Sequence, residues 1–146
     1  MLRVCVLLVC ASAVFAAPVP KGIKAKLTVD GKWEAVLLKS SGNDFTKSSP
    51  WLWEISGETV TRYRPQADGS VLPDGTATFT RPDPTHPDEV DYTLPNGGGA
   101  GTLFRARVEI QDGELVINFA NVNADRPPDM TELKDGYYYR FKRVKE

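Results

Sequence analysis

Apolar side chains recur at every second position in short runs between residues 27 and 144, and no run shows the 3.6-residue period of a helix. Turn-forming residues separate these runs, which is typical of antiparallel strands joined by tight connections. The pattern predicts an all-β fold in which about eight strands form an antiparallel barrel. We place the strands at residues 27–39, 51–56, 59–64, 76–80, 89–94, 104–111, 115–119 and 137–144.

The strongest local signal is a hairpin around Asp112-Gly113. Apolar residues alternate with polar ones before this turn and return on the same face after it, as a two-residue Asp-Gly hairpin requires. Residues 66–75 carry turn chemistry twice, at Asp68-Gly69 and again at residues 73–75, so we predict a loop there with at most a short strand. Residues 121–135 are predicted to form a long connection.

The alternation also predicts which side chains point into the barrel. In the first strand we place Trp33, Ala35 and Leu37 on the inner face. The inward aromatics of the later strands, which are the candidate ligand-binding residues, are Trp51, Trp53, Phe79, Tyr92, Phe104, Phe119 and Tyr139. An eight-stranded barrel is either filled by side chains or holds one small ligand. The many large rings favour a packed core, and a small apolar calyx near Trp51 and Trp53 is the alternative.

Residues 1–16 have the composition of a signal peptide, with a positive charge at Arg3, a short apolar run and small residues near Ala16. The apolar run is shorter than the ~20 residues of a membrane-spanning helix. We therefore expect cleavage after Ala16, a linker over residues 17–26 and one barrel domain over residues 27–146. The mature chain would be periplasmic or extracellular, without a transmembrane segment. Lipidation at Cys10 is the less favoured alternative, because Val9 is bulky.

Composition narrows the chemistry of the mature chain. Both cysteines, Cys5 and Cys10, leave with the signal peptide, so no thiol remains for a disulfide or a metal. Without Arg3, 17 basic residues stand against 19 acidic ones, and the two signs are interspersed. This balance does not favour a nucleic-acid partner, and we expect no cofactor.

Residues 81–93 hold the only histidine of the chain, His86, among four carboxylates. Prolines at 82, 84 and 87 restrict the backbone, so we interpret this stretch as a rigid connector into the next strand. Two alternatives remain, a weak calcium site and a hydrolase site that joins His86 to Ser48 or Ser49. The carboxylates of the calcium alternative are Asp83, Asp88, Glu89 and Asp91.

A zinc site would need more histidine or cysteine ligands than the mature chain has, so no metal is predicted. Asp91 alternates outward between Val90 and Tyr92. We expect it to lie on the barrel surface or to pair across strands with a cation such as Arg105 or Arg107.

Gly31-Lys32-Trp33 resembles the Gly-x-Trp that opens the first strand of lipocalins. Over its whole length the mature chain also resembles an uncharacterised, lipocalin-like family of exported proteins from planctomycete bacteria. The further matching segments are PDEVDYT at residues 87–93, the hairpin from Asp112 to Phe119-Ala120, Arg126-Pro127, and KRVK at residues 142–145. Tyr92 departs from the family pattern, which has an aliphatic residue there, and so does Pro128-Asp129-Met130 after the Arg-Pro.

The resemblance implies a lipocalin-like barrel in which Gly31, Trp33 and Arg143 close one end, with the arginine stacked over the indole ring. It implies no activity, because the family has none established. We therefore expect a non-catalytic exported module that binds a small apolar ligand or another envelope component. A structural cell-envelope protein is the alternative, and a hydrolase that uses His86 is less favoured.

Overall fold

The computed structural model describes residues 28–48, 51–95 and 101–145, and all regular structure in these ranges is β-strand. The all-β prediction is confirmed. The strands are β1 (Gly31–Ser40), β2 (Asn43–Asp44), β3 (Leu52–Ser56), β4 (Thr59–Pro65), β5 (Val71–Thr80), β6 (Glu89–Leu94), β7 (Thr102–Gln111), β8 (Glu114–Ala120) and β9 (Gly136–Arg143). The expected signal peptide and linker lie outside the described residues.

The strands form one closed antiparallel sheet. From β3 to β9 each strand pairs with the next, β1 pairs with β3, and β9 returns to pair with β1. Eight strands therefore make an up-and-down barrel, while β2 folds back as a short hairpin on the end of β1. Closure pairs the strand edges that an open sheet would expose. The predicted barrel is confirmed, and its architecture is consistent with a lipocalin-like fold.

The two ends of the barrel differ in chemistry. At the Arg143 end, Gly31 begins β1, Arg143 ends β9, and the predicted turn at residues 112–113 joins β7 to β8. At the opposite end, here called the Trp51 end, Trp51 precedes β3 and Gly136 begins β9. Because neighbouring strands run in opposite directions, successive connections alternate between these two ends.

The predicted inner face of the first strand is wrong beyond Ala35. The pairing of β1 with β9 shifts register between Ala35 and Leu37, so Val36 is the extra residue of a β-bulge. An extra residue reverses the in–out alternation after it. Leu38 therefore enters the core with 0% exposure, and Leu37 does not. The strand also begins at Gly31 rather than at residue 27.

The loop predicted at residues 66–75 is only partly a loop. The turn at Asp68-Gly69 is present, where the Ser70 amide donates to the Asp68 carboxylate at 2.9 Å. From residue 71 onward the chain is already in β5, paired with β4. A register shift opposite Arg62 and Tyr63 lets this strand include residues 73–75, because a bulge tolerates proline and glycine. The two-residue strand β2 was also not predicted.

The core fills most of the barrel interior. Its largest side chains with almost no exposure are Trp33, Trp53, Phe79, Phe141, Leu38, Ile55, Leu115 and Ile117. Burying a side chain of this kind stabilises the fold by about 1.5–3 kcal/mol relative to leaving it exposed. These residues come from strands all around the sheet, so the core ties the barrel together from within.

Residues 121–135, here called the strap, cover the outside of β8. The Asn118 side-chain amide points outward and donates to the Asp129 and Thr131 carbonyls of the strap, at 3.1 and 2.7 Å. Pro127 of the strap is buried. As a result β8 is buried on both faces, and Val116 has 0% exposure although it alternates with the inward residues Leu115 and Ile117.

Candidate functional site

A cavity of about 210 Å³ lies inside the barrel at the Trp51 end. Its described lining consists of six aromatic side chains, one leucine and one arginine. These residues are Trp51, Arg62, Tyr92, Leu94, Phe104, Phe119, Tyr137 and Tyr139. A mainly apolar, concave surface with a few polar groups is the usual form of a small-molecule site.

The aromatic walls of this cavity support one another. The Tyr139 ring meets the Trp51 ring edge to face, with centroids 5.9 Å apart, and meets the Phe119 ring at 5.3 Å. Phe104 and Tyr137 also meet edge to face, with centroids 5.8 Å apart and planes at 83°. Each such pair contributes about 0.5–1.5 kcal/mol beyond the area that it buries. The cavity is therefore shaped by packing of the protein itself.

Arg62 is the only charged side chain in the described lining of the cavity. It lies on β4 on the same face as the fully buried Val60, so the strand points it inward. Its guanidinium carbon is 5.9 Å from the centroid of the Trp51 ring, within the range of a cation–π contact. Gly75 on the adjacent strand makes room for it, because a Cβ there would lie 3.1 Å from Arg62 Nη2.

The charge of Arg62 has no acidic partner among the described residues, where no carboxylate oxygen lies within ion-pair distance of it. Asp74, on the neighbouring strand, pairs instead with Arg64 at 3.0 Å. The Arg62 Nε is buried and has no hydrogen-bond partner in the described part of the chain. The guanidinium donates a hydrogen bond to the Tyr92 hydroxyl, which also lines the cavity.

Three tyrosine hydroxyls accompany this cation in the cavity lining. Tyr92 and Tyr139 are only 5% and 7% exposed, and Tyr137 is half-buried. The Tyr92 hydroxyl accepts a hydrogen bond from the Arg62 side chain. No bond to a described residue is found for the hydroxyls of Tyr137 and Tyr139. Arginine can only donate, so the bond from Arg62 leaves the Tyr92 O–H available as a donor. All three hydroxyls can therefore donate to a molecule in the cavity.

The pKa values of the two buried tyrosines follow from this environment. Burial raises the pKa of Tyr92 to about 12, while the nearby Arg62 guanidinium acts in the opposite direction. Burial also raises the pKa of Tyr139, and the neighbouring hydroxyls of Tyr137 and Tyr92 add to the effect. Both phenols therefore stay protonated at neutral pH and keep their O–H donors.

The predicted ligand-binding aromatics divide into two groups. Five of them line the cavity: Trp51, Tyr92, Phe104, Phe119 and Tyr139. The other two, Trp53 and Phe79, are packed in the core behind it, with 1% and 0% exposure. The calyx was expected near both Trp51 and Trp53. In the structure the cavity borders Trp51, whereas Trp53 belongs to the packed core.

Sequence reasoning missed three lining residues, namely Arg62, Leu94 and Tyr137. Two of them lie two positions from a predicted inward residue on the same strand, and so face the same way. Leu94 follows Tyr92, and Tyr137 precedes Tyr139. Arg62 follows Val60 in the same way. An arginine on an inward face runs against the usual apolar composition of a barrel interior, and this is why the pattern alone did not select it.

At the Arg143 end, the Arg143 guanidinium carbon lies 5.3 Å from the centroid of the Trp33 ring. Arg143 Nη2 also donates to the Asp30 carbonyl at 2.6 Å, and the Trp33 indole N–H donates to the Val29 carbonyl at 2.8 Å. Gly31 has a φ of +131°, and a Cβ there would lie 2.7 Å from Arg143 Nη2. The three residues implied by the resemblance are therefore in contact, and glycine is required where the arginine crosses β1.

His86 and its neighbours form an exposed turn at the Arg143 end of the barrel. The His86 Nδ1 lies 2.9 Å from Asp83 Oδ2, with both side chains about half exposed. Ser48 follows β2 at the Trp51 end, where its hydroxyl donates to the Phe45 carbonyl at 2.9 Å. The two members of the hydrolase alternative thus lie at opposite ends, and Ser49 is outside the described residues.

The four carboxylates of residues 81–93 bind cations or hydroxyls of the protein instead of converging on one point. Arg107 pairs with Asp88 and, at 2.9 Å, with Glu89. Asp91 pairs with Arg126 of the strap at 2.7 Å. Asp91 thus pairs with a cation as expected, but the two arginines given as examples are not its partners. Arg105 lies opposite Asp91 in the sheet but donates to the Ala124 carbonyl of the strap. Arg126, which is distant in sequence, forms the ion pair instead.

Replacing Thr85 with valine should raise the pKa of Asp83, which is about 2 in the native turn. The largest cause of the low pKa is the Thr85 hydroxyl, which donates to Asp83 Oδ1 at 2.7 Å, followed by His86 and the Thr85 amide. A lowered carboxyl pKa stabilises the turn above pH 3.8, and this contribution is lost as the pH falls through about 2. Carboxyl-carbon NMR titration measures the shift toward 3.8. Asp68, whose pKa is lowered by Ser70, is the internal control, and an unmoved Asp83 would contradict the assigned cause.

No protein-family model matches the chain, and no curated protein is significantly similar to it. Across the described ranges, no group of three or more His, Cys, Asp or Glu side chains is arranged to hold a metal ion. A helix long and apolar enough to cross a membrane is likewise not found in those ranges. The protein is therefore of the class of closed eight-stranded antiparallel barrels with an aromatic internal cavity. A fold does not specify a function, so function is inferred from the chemistry of that cavity.

Proposed function

We propose that this protein is a non-catalytic, exported lipocalin-like module that binds a small molecule with an apolar body in the cavity at the Trp51 end. One observation carries the proposal: beside its buried core, the barrel keeps an aromatic-lined space of about 210 Å³. Concave, mainly apolar spaces with a few polar groups are where small molecules usually bind. A space of this size next to accessible hydroxyls has the form of a binding site.

The size of the cavity limits the ligand. Sites for drug-sized molecules occupy about 300–1,000 Å³, so this one suits a single ring with a short substituent or a short aliphatic chain. The aromatic walls supply edge and face contacts for such a body. Binding would displace water from apolar surface, which is favourable at roughly 25 cal/mol per Å² before the costs of association.

Two features support the non-catalytic part of the proposal. The described cavity lining contains no histidine, serine, cysteine or carboxylate, which are the usual nucleophiles and general bases. His86, the only histidine in the chain, is at the other end of the barrel and exposed. Export, and membership of the planctomycete lipocalin-like family, rest on the pattern of residues 1–16 and on the motifs of the mature chain.

Titration with neutral apolar probes tests the proposal. Toluene, naphthalene and 1-hexanol should shift the indole N–H resonance of Trp51 in a ¹H–¹⁵N spectrum and leave that of Trp33, at the far end, unchanged. Leu94→Trp should abolish the shift, because the added ring fills the cavity. Val36→Trp adds the same ring at the outward bulge of β1 and should bind like the native protein.

The cavity proposal would be overturned if none of the probes moved the Trp51 resonance or raised the melting temperature. The alternatives of an interaction module that uses its outer surface, or of a structural envelope protein, would then be favoured. A shift that persisted in Leu94→Trp would place the probe at some other site and would equally count against the cavity.

A further inference from the structure

The cavity wall holds a positive charge that no described acidic side chain pairs with, which a purely apolar site would not need. Arg62 is half-buried in the wall, and in the described part of the chain no acidic group pairs with it. Removing a charge from water without a partner is costly, and a bound anion would offset that cost. The cation–π contact with Trp51 at 5.9 Å compensates only in small part, by about 0.5–1 kcal/mol.

Hydrogen-bond donors gather around the same point. The hydroxyls of Tyr92 and Tyr139 both interact electrostatically with Arg62, and Tyr139 also interacts with Tyr137. The Tyr92 hydroxyl accepts a hydrogen bond from the Arg62 guanidinium and keeps its own O–H to donate. The guanidinium has five N–H donors, so this one bond leaves others for a ligand. A set of donors with a cation and no anion in the described lining is complementary to an anionic acceptor.

We propose, on the basis of the function proposed above, that the cavity selects small organic carboxylates. The terminal nitrogens of Arg62 bind the carboxylate, one or more of the tyrosine hydroxyls donate to it, and the aromatic walls hold the apolar body. A planar carboxylate matches the fork of a guanidinium. The cavity volume limits the body to about one ring or a short chain.

The gap at Gly75 supports the placement of this cation. Gly75 has a φ of +133°, and the Arg62 guanidinium lies where a side chain on β5 would otherwise project. The bulge between β4 and β5 occurs at the same level. Bulges often re-aim a side chain next to a functional site, and here the irregularity lies directly beside the cavity arginine.

A matched pair of ligands tests the inference. Calorimetric titration at pH 7 compares 3-phenylpropionate with 3-phenylpropanamide, which has nearly the same shape without the charge. We expect the acid to bind at least about tenfold more tightly, because hydrogen bonds to charged groups are stronger than neutral ones. The Trp51 indole resonance should shift with both ligands, and the Trp33 resonance with neither.

Arg62→Gln should weaken binding of the acid by about 10- to 100-fold and change binding of the amide by less than about threefold. Arg64→Gln is the matched control, because Arg64 carries the same charge two residues further along β4. Its side chain is 53% exposed and paired with Asp74. It should change binding of the acid by less than about threefold, because solvent screens an exposed charge. Tyr139→Phe keeps the ring and should weaken acid binding by about 3- to 10-fold, which keeps the inference testable if Arg62→Gln does not fold.

The outcomes separate the two proposals. Equal binding of acid and amide to the native protein would overturn the carboxylate inference and leave the small-molecule function standing. Binding of neither ligand, together with silent apolar probes, would overturn both. If Arg64→Gln weakened acid binding as much as Arg62→Gln, general electrostatic attraction would explain the preference, and the assignment to Arg62 would be wrong.

Discussion

Replacing Trp53 with alanine is expected to destabilise the barrel by about 3–5 kcal/mol, the range for deleting a large aromatic side chain from a core. Trp53 is 1% exposed. Its ring stacks on Tyr92 with centroids 5.6 Å apart and planes at 7°, and it lies 4.7 Å from Phe141. Removing it would leave a hole between strands that are distant in sequence. The free energy of unfolding in urea, followed by circular dichroism, measures the loss.

Trp53→Phe is the control for this experiment. The Trp53 indole N–H is buried and has no hydrogen-bond partner among the described residues, so phenylalanine removes an unpaired donor along with some volume. The two effects oppose each other, and we expect a loss within about 1.5 kcal/mol. A loss from Trp53→Ala as small as that from Trp53→Phe would show that the ring is not a central part of the core.

Replacing Arg126 with methionine is expected to destabilise the protein by about 2–3 kcal/mol. Arg126 joins the strap to the barrel, because its side chain donates to the Val90 and Ala106 carbonyls and pairs with Asp91. The side chain is only 15% exposed. Its loss would leave partly buried acceptors without a donor. The estimate is below that for a fully buried pair because solvent still reaches Asp91, at 24% exposure.

Lys142→Met is the matched control for Arg126→Met, since it also removes one cation of an ion pair. Lys142 lies 3.1 Å from Glu34, but the two side chains are 57% and 53% exposed. Exposed pairs contribute little, so the expected change is within about 0.5 kcal/mol. Similar losses in the two variants, measured by urea unfolding, would mean that Arg126 is an ordinary surface charge and that the strap is held by other contacts.

The regular strands could be predicted because apolar and polar residues alternate along each of them according to which face of the sheet is buried. The predicted bounds of residues 89–94 match β6, and the turn at residues 112–113 is where the pattern placed it. Local patterns failed where the chain departs from period 2. The bulge at Val36 moved Leu38 into the core in place of Leu37, and the bulge opposite Arg62 carried residues 73–75 into β5.

The candidate site was predictable to the extent that it is made of inward aromatics. Alternation alone placed Tyr92, Phe104, Phe119 and Tyr139 on the inner face, but it could not tell which rings pack tightly and which border a cavity. That depends on how side chains from several strands meet. The same limit applies to Arg62, whose significance comes from the lack of an acidic partner among the described residues and not from its position in the sequence.

By itself, the sequence determined that the described chain would be all β, roughly where its strands would run, and which residues of the regular strands would face inward. Those properties follow from the two-residue period of a strand, which is local. The tertiary structure alone decided that the sheet leaves a cavity at the Trp51 end, that Arg62 lies in it without a described acidic partner, and that Arg126 of the strap takes Asp91. These contacts join residues far apart in the chain, and their geometry depends on closure, bulges and packing that no short segment contains.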